Sequence, residues 1–284
     1  MTGTNSMLSP QEVSDALSTL AEKKASATVQ EQFFLAILAG MYIGFGAIVA
    51  TVVSSGGSLD PGLARFLSGS VFTVGLMLVI IPGSELFTGN ILMTVGFLAK
   101  RVKPLLIVRN WVIVWLGNFA GALLLAWLLY QSGQLTDASG IRPIGQQAIA
   151  IAERKFELAQ FFWPCFIRGI LCNMLVCLAV IMASSARTVT GKILGIYFPI
   201  MTFVTCNFEH SVANMYFLPA GLLAAGQFGS RFWEMFANLI PVTLGNIIGG
   251  LTLILLHPKN QQMLFHLRPF AQKNRPNEGP SGVE

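Results

Sequence analysis

A group of polar residues interrupts a long apolar segment in the second half of the chain. The segment runs from about Ile193 to Leu222, and at its centre Glu209 stands beside His210, among amides and hydroxyls. Ionisable groups are costly inside a membrane, so an intramembrane pair of this kind is by default a functional feature. The alternative is a buried, hydrogen-bonded cluster with a structural role.

The composition places that cluster in an integral membrane protein. Apolar residues make up 54% of the chain and charged residues only 11%, with a mean hydropathy of +0.65. Soluble domains carry roughly 25% charged residues. The net charge of +5 comes from lysines and arginines in short loops between apolar segments, so it does not indicate a nucleic-acid partner. The four cysteines lie inside apolar segments and are expected to be buried free thiols, not disulfides or metal ligands.

Six apolar segments define an all-α polytopic membrane protein. They cover approximately residues 33–53, 66–99, 111–130, 161–183, 193–222 and 236–256. The second segment would form a helix of about 51 Å, whereas the hydrocarbon core is about 30 Å thick. A break at Pro82–Asn90 resolves the mismatch, provided that protein or a water-filled cavity covers the irregular backbone. The fifth segment is expected to break in the same way at its polar centre.

Two terminal segments flank the transmembrane domain, which we assign to residues 32–258. In the N-terminal segment, residues 1–31, Ser9 and Glu12 have the spacing of a helix capping box. The amphipathic helix that follows is expected to lie along the membrane surface or to be an ordinary surface helix. Residues 259–284 form a polar tail that we expect to be disordered. Lysines and arginines are concentrated on the side of the N-terminus, which predicts that both termini are cytoplasmic.

The two halves of the transmembrane domain share a pattern. Leu116–Gly121 matches Leu244–Gly249, 128 positions later, and polar residues of the two breaks match at a spacing of 124 positions. Each half holds three segments, so the halves must have opposite orientations. We therefore expect inverted repeats, about residues 32–130 and 160–258, whose broken helices meet near the midplane. Three polar residues of the breaks are expected to support the broken backbone: Glu85, Glu209 and Asn214.

His210 is the one histidine inside an apolar segment. Burial disfavours the imidazolium form, so we expect a neutral ring that donates one hydrogen bond and accepts another. Thr88 and Asn173 are its expected partners. Phe72 and Leu76 lie one helical turn apart and could narrow a pore near the histidine. Taken singly, each of these apolar residues is better explained by ordinary core packing.

Four stretches of the sequence resemble the formate/nitrite transporter family. They are Gly83–Gly89, Arg168–Ala179, Phe208–Met215 and Asn238–Asn246, and the Phe-Glu-His-Ser pattern at 208–211 is the most specific. The resemblance implies an aquaporin-like protomer, a homopentamer with one pore per protomer, and a place in the prokaryotic inner membrane. It implies a channel or transporter for a small monovalent anion, and neither an enzyme nor a cofactor- or metal-binding protein.

The resemblance also implies roles for individual residues. The central pore histidine would be His210, with Thr88 and Asn173 beside it. The remaining pore positions would be an outer constriction of Phe72, Phe87 and Phe203, an inner constriction of Leu76 and Leu86, and a vestibule lysine, Lys155. A lysine just outside the fourth segment would attract anions, or else belong to a solvated loop. The sequence departs from the family at Asn207, where glycine is usual.

Formate is the expected substrate, and nitrite and hydrosulfide are alternatives with the same chemistry. Each is the conjugate base of a weak acid, and a bare anion in an apolar constriction incurs a large desolvation penalty. We expect the anion to be protonated in the pore, directly or indirectly from His210, and to cross as a neutral molecule together with a proton.

Two other classes have less support in the sequence. An aquaporin-like channel for neutral solutes predicts Asn-Pro-Ala loops, but proline follows neither Asn90 nor Asn214. A membrane enzyme that uses Glu209 and His210 would need further carboxylate or histidine ligands, and only Glu85 lies in a comparable position.

Overall fold

The computed structural model of the chain describes residues 7–57 and 59–256. The described part is almost entirely helical, with one short hairpin of β1 (Thr136–Asp137) and β2 (Gly140–Ile141). The α-helices, in chain order, are α1 (Pro10–Ser26), α2 (Val29–Ser54), α3 (Pro61–Phe72), α4 (Val74–Ile80), α5 (Phe87–Asn90), α6 (Thr94–Leu98), α7 (Pro104–Gln131), α8 (Pro143–Ala159), α9 (Phe162–Ser185), α10 (Val189–Thr205), α11 (Ser211–Ala224), α12 (Phe228–Arg231) and α13 (Met235–Leu256). Single 3₁₀ turns lie at Ile91–Met93 and Phe232–Glu234.

Five helical stretches among the described residues are long and apolar enough to cross a membrane. They are Val29–Ser54, Pro61–Ile80, Pro104–Gln131, Phe162–Ser185 and Phe228–Leu256. Shorter apolar helices cover Phe87–Leu98, Val189–Thr205 and Ser211–Ala224. The chain is therefore a helical, multi-pass membrane protein.

Non-helical connections lie in the two segments whose length and polar residues suggested a break. In the first, α4 ends at Ile80 and α5 begins at Phe87. In the second, α10 ends at Thr205 and α11 begins at Ser211. Each connection contains one residue with left-handed backbone, Gly83 with φ +88° and Asn207 with φ +59°. Asparagine tolerates this conformation better than most residues, so Asn207 can take the place of the glycine usual in the family.

Close helix packing holds each half of the molecule together. Helix α7 lies against α2, where a Cβ atom at Gly121 would stand 2.0 Å from the carbonyl oxygen of Ile37. Helix α13 lies against α9, where a Cβ atom at Gly249 would stand 2.2 Å from the carbonyl oxygen of Ile170. Small residues allow helix backbones to approach this closely. The two matching sequence stretches therefore form equivalent helix contacts.

Helix α1 begins with the predicted capping box. The Ser9 backbone N–H donates to Glu12 Oε2 at 2.7 Å, and the Glu12 N–H donates to Ser9 Oγ at 3.3 Å. Val13 and Leu17 are buried in a hydrophobic cluster with residues of α6, α9 and α13. Neighbouring helices of the protein therefore cover part of the apolar face of α1, and its expected position along the membrane surface stays a prediction.

The connection between the third and fourth segments contains structure that the sequence analysis left undefined. Helix α8 follows the hairpin and packs against α11, where Gly221 faces the carbonyl oxygen of Ala148. Ala152 and Phe156 of α8 are buried. The helix therefore holds Lys155 beside the second connection. The tail predicted to be disordered, residues 259–284, lies outside the described residues.

Candidate functional site

His210 immediately precedes α11, and both of its ring nitrogens have partners. Nδ1 accepts a hydrogen bond from the backbone N–H of Ala213 at 3.1 Å, so the ring caps the helix. Nε2 lies 2.8 Å from Oγ1 of Thr88, which is in α5. Because Nδ1 accepts, the hydrogen of a neutral ring must be on Nε2, from which it is donated to Thr88. This contact, expected from the sequence, joins the two interrupted segments.

Thr88 is held through its own carbonyl group. That oxygen accepts a hydrogen bond from Asn173 Nδ2 at 3.2 Å and a weaker one from Cys177 Sγ at 3.7 Å. Asn173 also donates to the carbonyl oxygen of Asn246 at 2.7 Å. In the described part of the chain, Asn173 therefore acts on the backbone of Thr88 and not on His210, which corrects the second expected partner.

A small apolar void lies beside the histidine. It has a volume of about 10 Å³ and is lined by Ile43, Phe72, Leu76, Leu86, Val176, Ile200, Phe203 and His210. The rings of Phe72 and Phe203 meet edge to face, with centroids 5.7 Å apart at 81°. A void of this size holds at most about one water molecule. Five of the pore residues expected from the sequence therefore surround one space, which must widen to admit even a small anion.

A larger cavity lies on the α1 side of the same residues. Its volume is about 260 Å³, and its walls come from α1, α2, α4, the first connection, α5, the 3₁₀ turn after α5, and α9. Leu76 and Leu86 line both the cavity and the small void. These two leucines therefore lie where the cavity and the void adjoin, and the inner constriction expected of them stays a prediction.

Phe87 differs from its expected position. It is not among the described residues that line the void or the cavity. Its side chain is buried, and its backbone N–H donates to Oδ1 of Asn118 at 2.9 Å. Phe87 is the first residue of α5, and this hydrogen bond fixes the start of that helix. Of the three phenylalanines expected at the outer constriction, Phe72 and Phe203 line the void and Phe87 does not.

The second connection is supported by a buried charged network. Glu209 accepts hydrogen bonds from Lys155 Nζ at 3.0 and 3.1 Å and from Asn214 Nδ2 at 2.6 Å. Asn214 Nδ2 also donates to Oδ1 of Asn238 at 2.7 Å. The Lys155 and Glu209 side chains are 14% and 6% exposed. Lys155 is thus a partner of Glu209, because the carboxylate lies within reach of α8, and its expected role as the vestibule lysine stays a prediction.

The first connection carries an equivalent network. Glu85 accepts hydrogen bonds from Lys24 Nζ at 2.7 Å and from Asn90 Nδ2 at 2.5 Å. Asn90 Nδ2 also donates to Oδ1 of Asn110 at 2.8 Å. Lys24 was not singled out by the sequence analysis. Lys24 lies on the helix that precedes the first segment, just as Lys155 lies on the helix that precedes the fourth. This shared position is the sequence signal that could have identified Lys24.

Two asparagines from the matching stretches clamp the backbone at both connections. Asn118 donates to the carbonyl oxygen of Glu85 at 2.9 Å while its Oδ1 accepts from Phe87. Asn246 donates to the carbonyl oxygen of Glu209 at 3.0 Å while its Oδ1 accepts from Ser211 at 2.9 Å. Buried backbone groups outside regular helices need such partners. The sequence match pointed to these asparagines, but only the structure shows what they bind.

The cysteines and acidic residues offer no evident metal site. All four cysteines are free, and Cys206 is exposed, which corrects the expectation that every cysteine is buried. Within residues 7–57 and 59–256, no three histidine, cysteine, aspartate or glutamate side chains are grouped closely enough to hold a metal ion.

The sequence model of the formate/nitrite transporters matches residues 11–258, which is most of the chain. The chain belongs to the formate/nitrite transporter family. A probable formate transporter of Methanothermobacter thermautotrophicus is 43% identical over 263 residues, covering 87% of this chain and 94% of that protein. The formate channel FocA of Haemophilus influenzae is 37% identical over 261 residues, covering 86% and 90%. The resemblance inferred from four short stretches is thereby confirmed.

Solved structures of the family share this fold. A chain described as an FNT family ion channel superposes with a TM-score of 0.76 at 27% identity, covering 91% of this chain and 100% of that one. A chain described as a pentameric formate channel with formate bound superposes with a TM-score of 0.69 at 32% identity, covering 84% and 98%. These relatives are channels and transporters, so the membrane-enzyme alternative is set aside.

Proposed function

We propose that this protein conducts formate across the inner membrane of a prokaryotic cell, along a path that passes His210. The observation that carries the proposal is the Thr88–His210 hydrogen bond, which places two polar groups beside an apolar void. The names of the relatives, a probable formate transporter and a formate channel, support formate as the first candidate. Nitrite and hydrosulfide have the same charge and weak-acid chemistry and are the alternatives to test.

The path would run from the large cavity, past Leu76 and Leu86, through the void and out between Phe72 and Phe203. Each constriction is apolar, so an anion would lose its hydration without receiving compensating charge. A neutral acid avoids most of that penalty. We therefore propose that the substrate crosses as the protonated acid, which makes transport proton-linked.

In this scheme His210 would orient the Thr88 hydroxyl and would not itself donate a proton to the substrate. Its Nε2–H is donated to the Thr88 oxygen, which leaves the hydrogen of the Thr88 hydroxyl free to point at a substrate oxygen. Protonation of Nδ1 would break the cap to Ala213. The transferred proton would accordingly come from solution with the anion, and Asn173 would keep the Thr88 peptide in place.

The proposal includes an architecture of two inverted three-segment repeats with an aquaporin-like arrangement. Its support is the pair of equivalent networks, Lys24–Glu85–Asn90 and Lys155–Glu209–Asn214, together with the two asparagine clamps. A homopentamer is proposed because a superposed relative is described as a pentameric formate channel. Both termini would be cytoplasmic, as the distribution of lysine and arginine predicts.

Stopped-flow flux into proteoliposomes tests the substrate assignment. Formate, nitrite and hydrosulfide are compared over a range of pH, and each rate is normalised to the concentration of its neutral acid and to protein-free vesicles. We expect the fastest normalised flux for formate. A higher flux for nitrite or hydrosulfide would reassign the substrate within the family, and flux of neutral solutes such as glycerol without any of the three anions would favour the aquaporin-like alternative.

A further inference from the structure

Phe217 joins the aromatic constriction to the charged network of the second connection. Its ring stacks on Phe72, with centroids 6.5 Å apart at an interplanar angle of 23°. On the constriction side, Phe72 meets Phe203 edge to face. Lys155 Nζ lies 5.6 Å from the centroid of the Phe217 ring, within the range of a cation–π contact. Phe72 therefore contacts two rings, and a half-buried lysine lies against one of them.

The surroundings leave Phe72 little freedom to move. It is 2% exposed, so its ring can change position only if neighbouring side chains, Phe203 and Phe217 among them, move as well. Phe203 borders the void itself, with its centroid 5.7 Å from that of His210. Phe217 is half-buried, stacks on Phe72 and does not line the void among the described residues. The volume of the Phe217 side chain therefore affects how far Phe72 can retract from the proposed path.

The position in the first half of the molecule that corresponds to Phe217 carries no aromatic ring. Phe217 lies eight positions after Glu209, and the corresponding residue after Glu85 is Met93. Met93 lines the 260 Å³ cavity near Lys24. Methionine is flexible and adapts to its surroundings, whereas a phenylalanine ring is rigid. One aromatic residue therefore distinguishes the closely packed α8 side from the open α1 side.

We propose that Phe217 is a specificity-determining residue that limits the substrate to acids as small as formate by holding Phe72 against Phe203. This inference rests on the proposed function, since it requires that Phe72 and Phe203 border the transport path. Replacing Phe217 with a smaller side chain gives Phe72 room to retract, and acetate, which has one additional methyl group, then passes.

The test compares acetate and formate flux in proteoliposomes of the full-length protein carrying Phe217→Leu, with the acetate-to-formate ratio as the readout. We expect the ratio to rise about tenfold over the unmodified protein, the lower end of what an apolar pocket exerts on one methylene. Phe217→Tyr retains the ring and should keep the original ratio. Phe119→Leu is the matched control, because Phe119 belongs to a separate aromatic cluster with Trp115 and Phe236.

The outcomes separate this inference from the proposed function. An unchanged ratio with normal formate flux overturns it, and so does loss of formate flux in a monodisperse variant, since the ring would then serve conduction and not selection. If Phe217→Leu is not monodisperse, Phe217→Met, which copies Met93, is judged by the same ratio. Absence of formate flux in the unmodified protein would instead contradict the proposed function.

Discussion

At the residue scale, the largely buried ion pair of Lys155 and Glu209 is the interaction whose disruption we expect to destabilise the fold most. Removing two charges from water is costly, and their attraction offsets this only when further hydrogen bonds complete the geometry. Asn214 supplies such a bond to Glu209, and its Nδ2 also donates to Oδ1 of Asn238. Loss of one charge would leave the other largely buried without an opposite charge, which destabilises the fold more than loss of both charges.

Lys155→Met is accordingly expected to destabilise the protein strongly. Breaking a buried pair by removing one partner costs about 3–5 kcal/mol, so the thermal unfolding temperature in detergent should fall clearly. The double variant Lys155→Met, Glu209→Gln should recover part of the loss, because no charge then remains buried. Arg154→Met, an exposed neighbour, is the control. Equal unfolding temperatures for Lys155→Met and Arg154→Met would contradict the structural role of the pair.

The sequence predicted some residues of the site but not all of their contacts. His210 stood out because a histidine in an apolar segment is rare, and Thr88 because its segment breaks as well. The pairing of Lys155 with Glu209 could not be predicted, because 54 positions separate the two residues and only the fold brings them together. The exclusion of Phe87 from the void also depends on how α5 begins, which no local pattern specifies.

At the scale of elements, α1 is attached to the helical body by its start as well as by its apolar face. Leu8 N–H donates to the carbonyl oxygen of Ser185 at 2.9 Å, and Arg187 lies 3.5 Å from Glu12. The hydrogen bond from the Ser9 backbone, and to a smaller extent Arg187, holds the pKa of Glu12 below its ordinary value of 4.5. A carboxyl group with a lowered folded-state pKa stabilises the fold above its ordinary pKa and loses that effect as pH falls through the lowered value.

We therefore expect α1 to loosen in acid through Glu12. A spin label at Ala16→Cys, in a Cys206→Ser background, should become more mobile as pH falls below about 4.5, the range in which Glu12 takes up a proton. In Glu12→Gln the label should be more mobile at pH 7 already and should respond less to acid. Asp15→Asn, an exposed carboxylate on the same helix, is the control. An identical acid response with and without Glu12 would contradict this assignment.

The elements themselves were predictable to different degrees. Long apolar stretches and the capping box at Ser9 identified the transmembrane helices and α1. Helix α8 was missed because its apolar residues, such as Ala148 and Ala152, are small and its polar residues resemble those of a loop. Its packing against Gly221 gives it a structural role that only tertiary contacts reveal.

At the scale of the whole molecule, the two sides of the proposed path differ although the two networks correspond. The cavity beside Lys24 reaches Leu76 and Leu86, whereas Phe72, Phe203 and Phe217 pack together on the side beside Lys155. The sequence indicated the correspondence through its matching stretches. The asymmetry could not be predicted, because it depends on how side chains of different volume pack once the two halves are placed together.

The proposed transport of the neutral acid depends on the surroundings of His210. Its physical basis is the apolar wall of the void beside His210, which would admit an uncharged molecule at far lower cost than an anion. A neutral species carries no charge across the membrane, so its flux should depend on the pH gradient and be independent of the membrane potential.

The decisive measurement is formate uptake into proteoliposomes that contain a pH-sensitive dye, with the membrane potential set by potassium and valinomycin and protein-free vesicles as the control. If formate crosses as the neutral acid, one proton is taken up per formate and the rate is the same at zero and at inside-positive potential. Uptake that accelerates with an inside-positive potential and leaves the internal pH unchanged would show that the anion crosses bare, and would contradict transport of the neutral acid.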